Sequence, residues 1–248
     1  MGTIRTIEPR RIKRPGYRQD PSWADVQGYF SGPVPPVDHA RALKETAWLT
    51  KTQLAMRLEG YVEVDPKELI RVLNRARVKF VLMGAHVTNA WSRVNRATRD
   101  VDVLVQKSHH RKAVQAIQKA FPTLQPEDNP VVTRFRDPAD GEVAIDVMKP
   151  SHEIHKAALK HTVRVLGTHF VPTLEMLLAC KFAAMISPNR ERTRSMQDAV
   201  DFARVIEHNK NDVRREKLRE YGEFVYPGGG AELVKLVEGV LAGRTLAF

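Results

Sequence analysis

A single cysteine, Cys180, stands among 248 residues. No internal disulfide can form, so a reducing, cytoplasmic setting is the expectation. No apolar run approaches the roughly 20 residues of a membrane span, and the first residues lack the apolar segment of a secretory signal. Disulfide scaffolds and membrane proteins are thereby set aside, and no membrane partner is expected. Acidic residues are scarce relative to basic ones: 29 Asp and Glu face 40 Lys and Arg, a formal net charge of +11. That imbalance favours polyanionic partners such as RNA, DNA or nucleotide phosphates. It is also uneven. Between Met1 and Asp20, Arg5, Arg10, Arg11, Lys13, Arg14 and Arg18 meet only Glu8 and Asp20, which reads as a basic arm able to contact phosphate.

The arm extends over residues 1–40, where Pro9, Pro15, Pro21, Pro33, Pro35 and Pro36 interrupt any periodicity. Trp23, Tyr29 and Phe30 are its candidate anchors. A helix is expected over 38–57, and Asp65-Pro66 starts another with Leu69, Ile70 and Leu73 at helical spacing. The apolar run Val78 to Met83, ending at Gly84, reads as a strand buried on both faces. A short helix over 85–92, a strand over 100–105 and a helix over 108–120 follow. Strands over 131–136 and 142–148 are joined by the turn-prone residues 137–141. From Thr173 the pattern is helical: 173–186, 195–208, 211–220 and 231–242. The expected class is α/β (α+β), a small mixed-sheet domain followed by a helical one. The divisions are an arm over 1–40, a domain with N-terminal helices over 41–170, and a helical domain over 171–248.

The chemistry lies in the acids. Alternation along the strand puts Asp100, Asp102 and Leu104 on one face, with Val101, Val103 and Val105 on the other. Two such carboxylates sit roughly 6–7 Å apart at Cα. Aspartate is a poor strand former, and a buried unpaired carboxylate costs several kcal/mol. The pair therefore asks for a cation, either a metal ion or Arg96 or Arg99. No glycine and distal glutamate follow at EF-hand spacing. Asp146 interrupts a second apolar strand in the same way, and it would join the pair if the two strands are neighbours. Three acids on adjacent strands suit two divalent ions, Mg²⁺ or Mn²⁺, with water and phosphate completing the coordination. Gly84-Ala85, after a buried strand and at a helix start, can offer backbone N–H groups to a phosphate.

The runs Phe80-Val81-Leu82-Met83-Gly84-Ala85 and Arg96-Ala97-Thr98-Arg99-Asp100-Val101-Asp102-Val103-Leu104-Val105 resemble the signature of the DNA polymerase beta-like nucleotidyltransferase superfamily. Within it they are most like the AbiEii-type enzymes of bacterial toxin–antitoxin and phage-defence systems. That family has a Gly-Gly or Gly-Ser turn, an Arg-x-Thr-x-Asp-x-Asp segment and a later strand aspartate, here Asp146. It also has a helical lysine, matched by Lys181, and an Arg-Asp-x-x-Asp helix that Gln197-Asp198-Ala199-Val200-Asp201 resembles. The likeness covers 66–206, not the arm or the tail after 207. Ala85 and Gln197 depart from the family's serine and arginine.

The resemblance implies a nucleotidyltransferase fold over 41–170. It also implies an ATP- or other NTP-dependent transferase in which Asp100, Asp102 and Asp146 bind metal and act catalytically. Gly84, Ala85, Arg96, Lys181 and Asp198 would bind the nucleotide. The acceptor would be an RNA 3′ end such as that of tRNA, or a protein, with an antitoxin as a further partner. Lys181 falls on the apolar stripe of its helix, so it must snorkel or meet an anion. Asp198 has capping-box spacing from Ser195, and Asp201 reads as an orienting or surface residue. His109, His110, His152 and His155 show no zinc spacing, the first two reading as solvated, and Trp91 could stack on a base or lie in the core. Two alternatives stay open: a degenerate module that binds nucleic acid without transferring nucleotide, and a glycosyltransferase using a nucleotide-sugar.

Overall fold

The structure, a computed structural model, describes residues 36–56 and 60–244. The basic arm through residue 35, with Trp23, Tyr29 and Phe30, lies outside the described residues, as does Arg57 at the end of the first expected helix. The elements run α1 (His39–Ala55), α2 (Pro66–Arg75), β1 (Phe80–Leu82), α3 (Gly84–Ser92), β2 (Val101–Val105), α4 (His110–Ala120), β3 (Gln125–Asp128), β4 (Val132–Arg136) and β5 (Val143–Met148). Then come α5 (Glu153–Ala158), β6 (Thr162–Val165), β7 (His169–Pro172), α6 (Leu174–Met185), α7 (Arg192–His208), α8 (Arg215–Gly222) and α9 (Gly229–Leu241). No helix among the described residues is long and apolar enough to cross a membrane.

One seven-stranded sheet has the order β3-β4-β5-β2-β1-β7-β6. β2 pairs antiparallel with β1 and parallel with β5, and β1 pairs parallel with β7. The sheet is mixed, as the sequence predicts. β1 is buried along its whole length, which fits a strand covered on both faces. Val101, Val103, Leu104 and Val105 of β2 and Ala144, Ile145 and Val147 of β5 form the centre of the core. Leu69, Ile70 and Leu73 of α2 and Ala113 and Ile117 of α4 pack against it.

Local signals set several boundaries. Asp65 caps α2 by accepting from the Lys67 N–H at 2.8 Å, and Pro66 takes the first helical turn, where no donor is needed. The turn after β4 is fastened by Asp137, fully buried, which accepts from the Val62 N–H at 2.7 Å and pairs with Arg99 at 2.7 Å. α6 buries Leu174, Met176, Leu177, Leu178, Ala179, Phe182 and Met185. Such an all-round apolar helix belongs in the interior.

Four elements are absent from the sequence expectation. β3 is exposed at all four residues, so burial leaves no alternation to read. α5 is one and a half turns long, too short for periodicity to stand out. β6 and β7 form a hairpin that turns at Leu166 and Gly167, both at positive φ. α7 begins at Arg192 instead of 195, which alters the part Asp198 plays.

Candidate active site

β2 and β5 run side by side in parallel, with Asp102 directly opposite Asp146. That register puts both acids on the same face of the sheet, and Asp100 joins them from the segment entering β2. One ligand oxygen from each of the three lies within 4.8 Å of the others, so the trio could hold a metal ion. The expectation that Asp146 meets the pair is met by strand pairing, since residues opposite one another across parallel strands point the same way.

The arginines that could neutralise the acids are engaged elsewhere. Arg99 binds Asp137 at 2.7 Å and Asp140 at 3.1 Å, and Arg96 binds Asp201 at 3.0 Å. Arg134, opposite Asp146 on β4, approaches it only to 3.7 Å. Asp146 Oδ1 is buried and makes no hydrogen bond among the described residues. Burial, then the neighbouring Asp100, pushes the Asp146 carboxyl up to about 6. Burial, then Asp100 and Asp146, holds Asp102 well above the usual carboxylate range. Three carboxylates with this surplus of negative charge fit a divalent cation, and an orphaned buried oxygen is the kind of atom one would satisfy. Thr98, unremarked as a single residue in the sequence, donates from Oγ1 to Asp100 Oδ1 at 2.7 Å and sets that carboxylate's orientation. Its signal was its place two residues ahead of the acid.

Gly84 completes this end of the sheet. Its φ is +66°, and a Cβ there would come 1.8 Å from Asp102 Oδ2 and 2.7 Å from its Cγ. Any side chain would both strain the backbone and evict the carboxylate. Gly84 and Ala85 open α3, whose N-cap Met83 supplies no side-chain cap. The first N–H groups of the helix are thus left to a ligand or to water.

Lys181 and Asp198 stand in a second cluster. Lys181, 8% exposed, donates to Asp198 Oδ1 at 2.8 Å and to Asp201 Oδ2 at 2.9 Å. Of the two options for this lysine, snorkelling or an anion, the structure shows the second: the ammonium is buried between two carboxylates. Asp198 lies two turns inside α7, so it does not cap its helix, and Arg190 meets its Oδ2 at 2.5 Å. Nothing in the sequence pointed to Arg190. Asp201 is no surface residue; it is 3% exposed and also accepts from Arg96 and from Gln197 Nε2 at 2.9 Å. Burial pushes the Asp201 carboxyl up, but Lys181 and Arg96 hold it below the usual value.

Among the other residues singled out, His109 Nδ1 accepts from the Lys79 N–H at 2.8 Å and His110 lies 3.1 Å from Thr133 Oγ1. The expectation that they are solvated is corrected, since both join elements of the fold. His152 and His155 stack edge-on at 5.5 Å. Trp91 packs against the core with His39 edge-on at 5.2 Å.

The profile of the family described as nucleotidyl transferase AbiEii toxin, type IV TA system, matches residues 69–238, well over half the chain and including Asp100, Asp102, Asp146, Asp198 and Asp201. The chain belongs to the AbiEii nucleotidyltransferase family. The match runs 32 residues beyond the 206 at which the sequence likeness ends, so α8 and most of α9 belong to the AbiEii pattern too. Membership sets aside the glycosyltransferase reading. Nucleotidyltransferases generally use divalent metals, consistent with the acid trio. Comparison with curated proteins gives no match. Among solved structures, an antigenic nucleotidyltransferase-like protein from Paracoccidioides brasiliensis is 13% identical, covering 86% of this chain and 97% of its own, with a TM-score of 0.43. JHP933 from Helicobacter pylori is 14% identical over 71% of this chain and 90% of its own, at 0.42. The Megavirus polyadenylate synthase is 9% identical over 88% of this chain and 45% of its own, at 0.43. None of these likenesses bears on what this AbiEii protein acts upon.

Proposed function

We propose that this chain moves a nucleoside monophosphate from an NTP to the 3′ hydroxyl of an RNA, releasing pyrophosphate, as a toxin-type enzyme with a cognate antitoxin. The carrying observation is the acid trio, three carboxylates within 4.8 Å of one another, met among the described residues only by Arg134 at 3.7 Å. Asp100, Asp102 and Asp146 would hold Mg²⁺ or Mn²⁺, which when bound polarises the α-phosphate and offsets the charge developing on the pyrophosphate. Asp146, directly opposite Asp102 across the paired strands, is the group suited to take the acceptor's proton as its oxygen attacks the α-phosphorus. The bond from that phosphorus to the bridging oxygen breaks, and the electron pair leaves with pyrophosphate. Gly84 and Ala85 would present backbone N–H groups to the phosphates. Lys181, Asp198 and Arg96 would border the nucleotide, with Arg190 the more exposed cation on that side. The net charge of +11 favours RNA over a protein acceptor.

Ala85 favours one second reading, a member that binds but does not transfer, because it brings no hydroxyl to the phosphates. Incubation with each labelled NTP, Mg²⁺ or Mn²⁺ and total RNA separates the two, with Asp102→Asn alongside. Metal-dependent label in RNA with wild type only supports transfer. Equal label with the variant would remove it.

A further inference from the structure

At the opposite end of the same strands lies a cavity of about 960 Å³. It is lined by Lys79, Lys160, Arg164 and Phe170, and by Gln106 just beyond β2. From Gln106 to Asp102 is four residues of extended chain, roughly 13 Å, so the cavity and the acids are separate places. No lining residue is acidic. Lys79, Lys160 and Arg164 have no carboxylate partner among the described residues, whereas Lys156, also on the rim, is paired with Glu153 at 2.5 Å. Phe170 is 43% exposed, and the Arg164 guanidinium sits 5.9 Å from its ring centroid. The size is at the upper end of the roughly 300–1,000 Å³ of ligand pockets, room for more than one nucleotide.

We propose that this cavity holds a single-stranded segment of the RNA acceptor, a base stacked on Phe170 and its phosphates against Lys79, Lys160 and Arg164. The proposal rests on the reading of RNA as acceptor. Charge decides the occupant. A second copy of a chain at +11 would be repelled. An aromatic face flanked by unpaired cations is how sequence-tolerant single-strand sites are built. An acidic protein would use the cations but leave the ring without a planar partner.

The test is fluorescence anisotropy with a short labelled single-stranded oligoribonucleotide, with neither NTP nor metal, so that it reads binding and not transfer. The Lys160→Ala/Arg164→Ala double variant should weaken binding about tenfold and lower the slope of log K against log salt by about 1.4. Phe170→Ala should weaken binding about fivefold or more and leave the slope unchanged. Thermal unfolding of each variant checks that it folds, and a Lys160→Glu variant repeats the charge test with a single change. Wild-type binding left intact in all of them overturns the proposal, as does no binding by wild type. Displacement of the RNA by polyglutamate, with the same variants weakening polyglutamate as strongly and Phe170→Ala having no effect, assigns the cavity to an acidic protein instead. If these variants behave as expected while labelled NTP is never incorporated, the transfer reading fails and this one stands.

Discussion

Two clusters of charge, one half-buried and one buried, are built on opposite principles. The acid trio has three carboxylates and one arginine at arm's length, 3.7 Å away. The Lys181 cluster has two aspartates, each bonded to Lys181 at 2.8–2.9 Å, with Arg96 and Arg190 closing the outer sides. Burying a charge is tolerated when it is paired and hydrogen-bonded and costly when it is not. The second cluster is therefore complete within the chain, and it ties α6 to α7 and to the segment ahead of β2. The first is incomplete. The incomplete one is where a ligand has something to contribute.

The largest expected effect breaks the comparison at its open side. Asp102→Asn should lower NTP transfer at least ~1,000-fold, while the metal-free protein melts at the same temperature or higher because a repulsion is gone. A clear drop in melting temperature would mean that Asp102 is structural. On the closed side, Lys181→Met should cost about 3–5 kcal/mol, because two aspartates then lose their shared cation; urea unfolding reads it. A loss below about 1 kcal/mol would put Lys181 outside the fold's support.

pH separates the clusters by sign. Asp146 has its carboxyl raised to about 6 from 3.8, so the native state holds that proton more tightly than the unfolded chain. Metal-free stability should fall as pH rises from about 4 to about 6, by on the order of 2–3 kcal/mol. Asp102, shifted in the same direction, adds to the fall. Asp201 is lowered, so its contribution is present above the usual carboxylate value and is lost as pH falls below it. Melting curves against pH should thus rise from strong acid, then decline toward neutrality, and Mg²⁺ should abolish the decline. An unchanged decline with Mg²⁺ would mean that the acids do not share an ion. Smallest is Gly84→Ala, expected to cost about 2 kcal/mol from left-handed strain and the displaced carboxylate, or ~4–8 °C in melting temperature.

The open cluster was legible in the sequence and the closed one was not. Asp102 and Asp146 each interrupt a run of buried apolar strand residues, with Asp100 two residues ahead of Asp102, and that local contradiction marks a position that something else must satisfy. Lys181 showed the same contradiction on its helix, but its partners lie 17 and 20 residues away, and the angle between α6 and α7 decides the pairing. The assignment of Asp198 as a cap failed because α7 starts three residues early, at Arg192, with no capping side chain to announce it. β3 escaped notice because Gln125-Pro126-Glu127-Asp128 is an exposed edge strand held by β4 alone. Phe80 to Leu82 and Val143 to Met148 were plain because both are apolar and flanked by glycine, proline or acidic turns.

The parallel alignment of β2 with β5 also bears on how the chain assembles. Asp102 and Asp146 come from strands with β3 and β4 between them in the chain, and parallel partners cannot meet through a tight hairpin. Contacts between such distant segments are made slowly, after the intervening chain has been ordered. A polypeptide still emerging from synthesis with β5 unfinished holds two of the three acids and no complete cluster. The meeting of Asp102 with Asp146 is thereby delayed until the sheet itself is closed, and a single-residue slip of β5 would turn Asp146 to the far face.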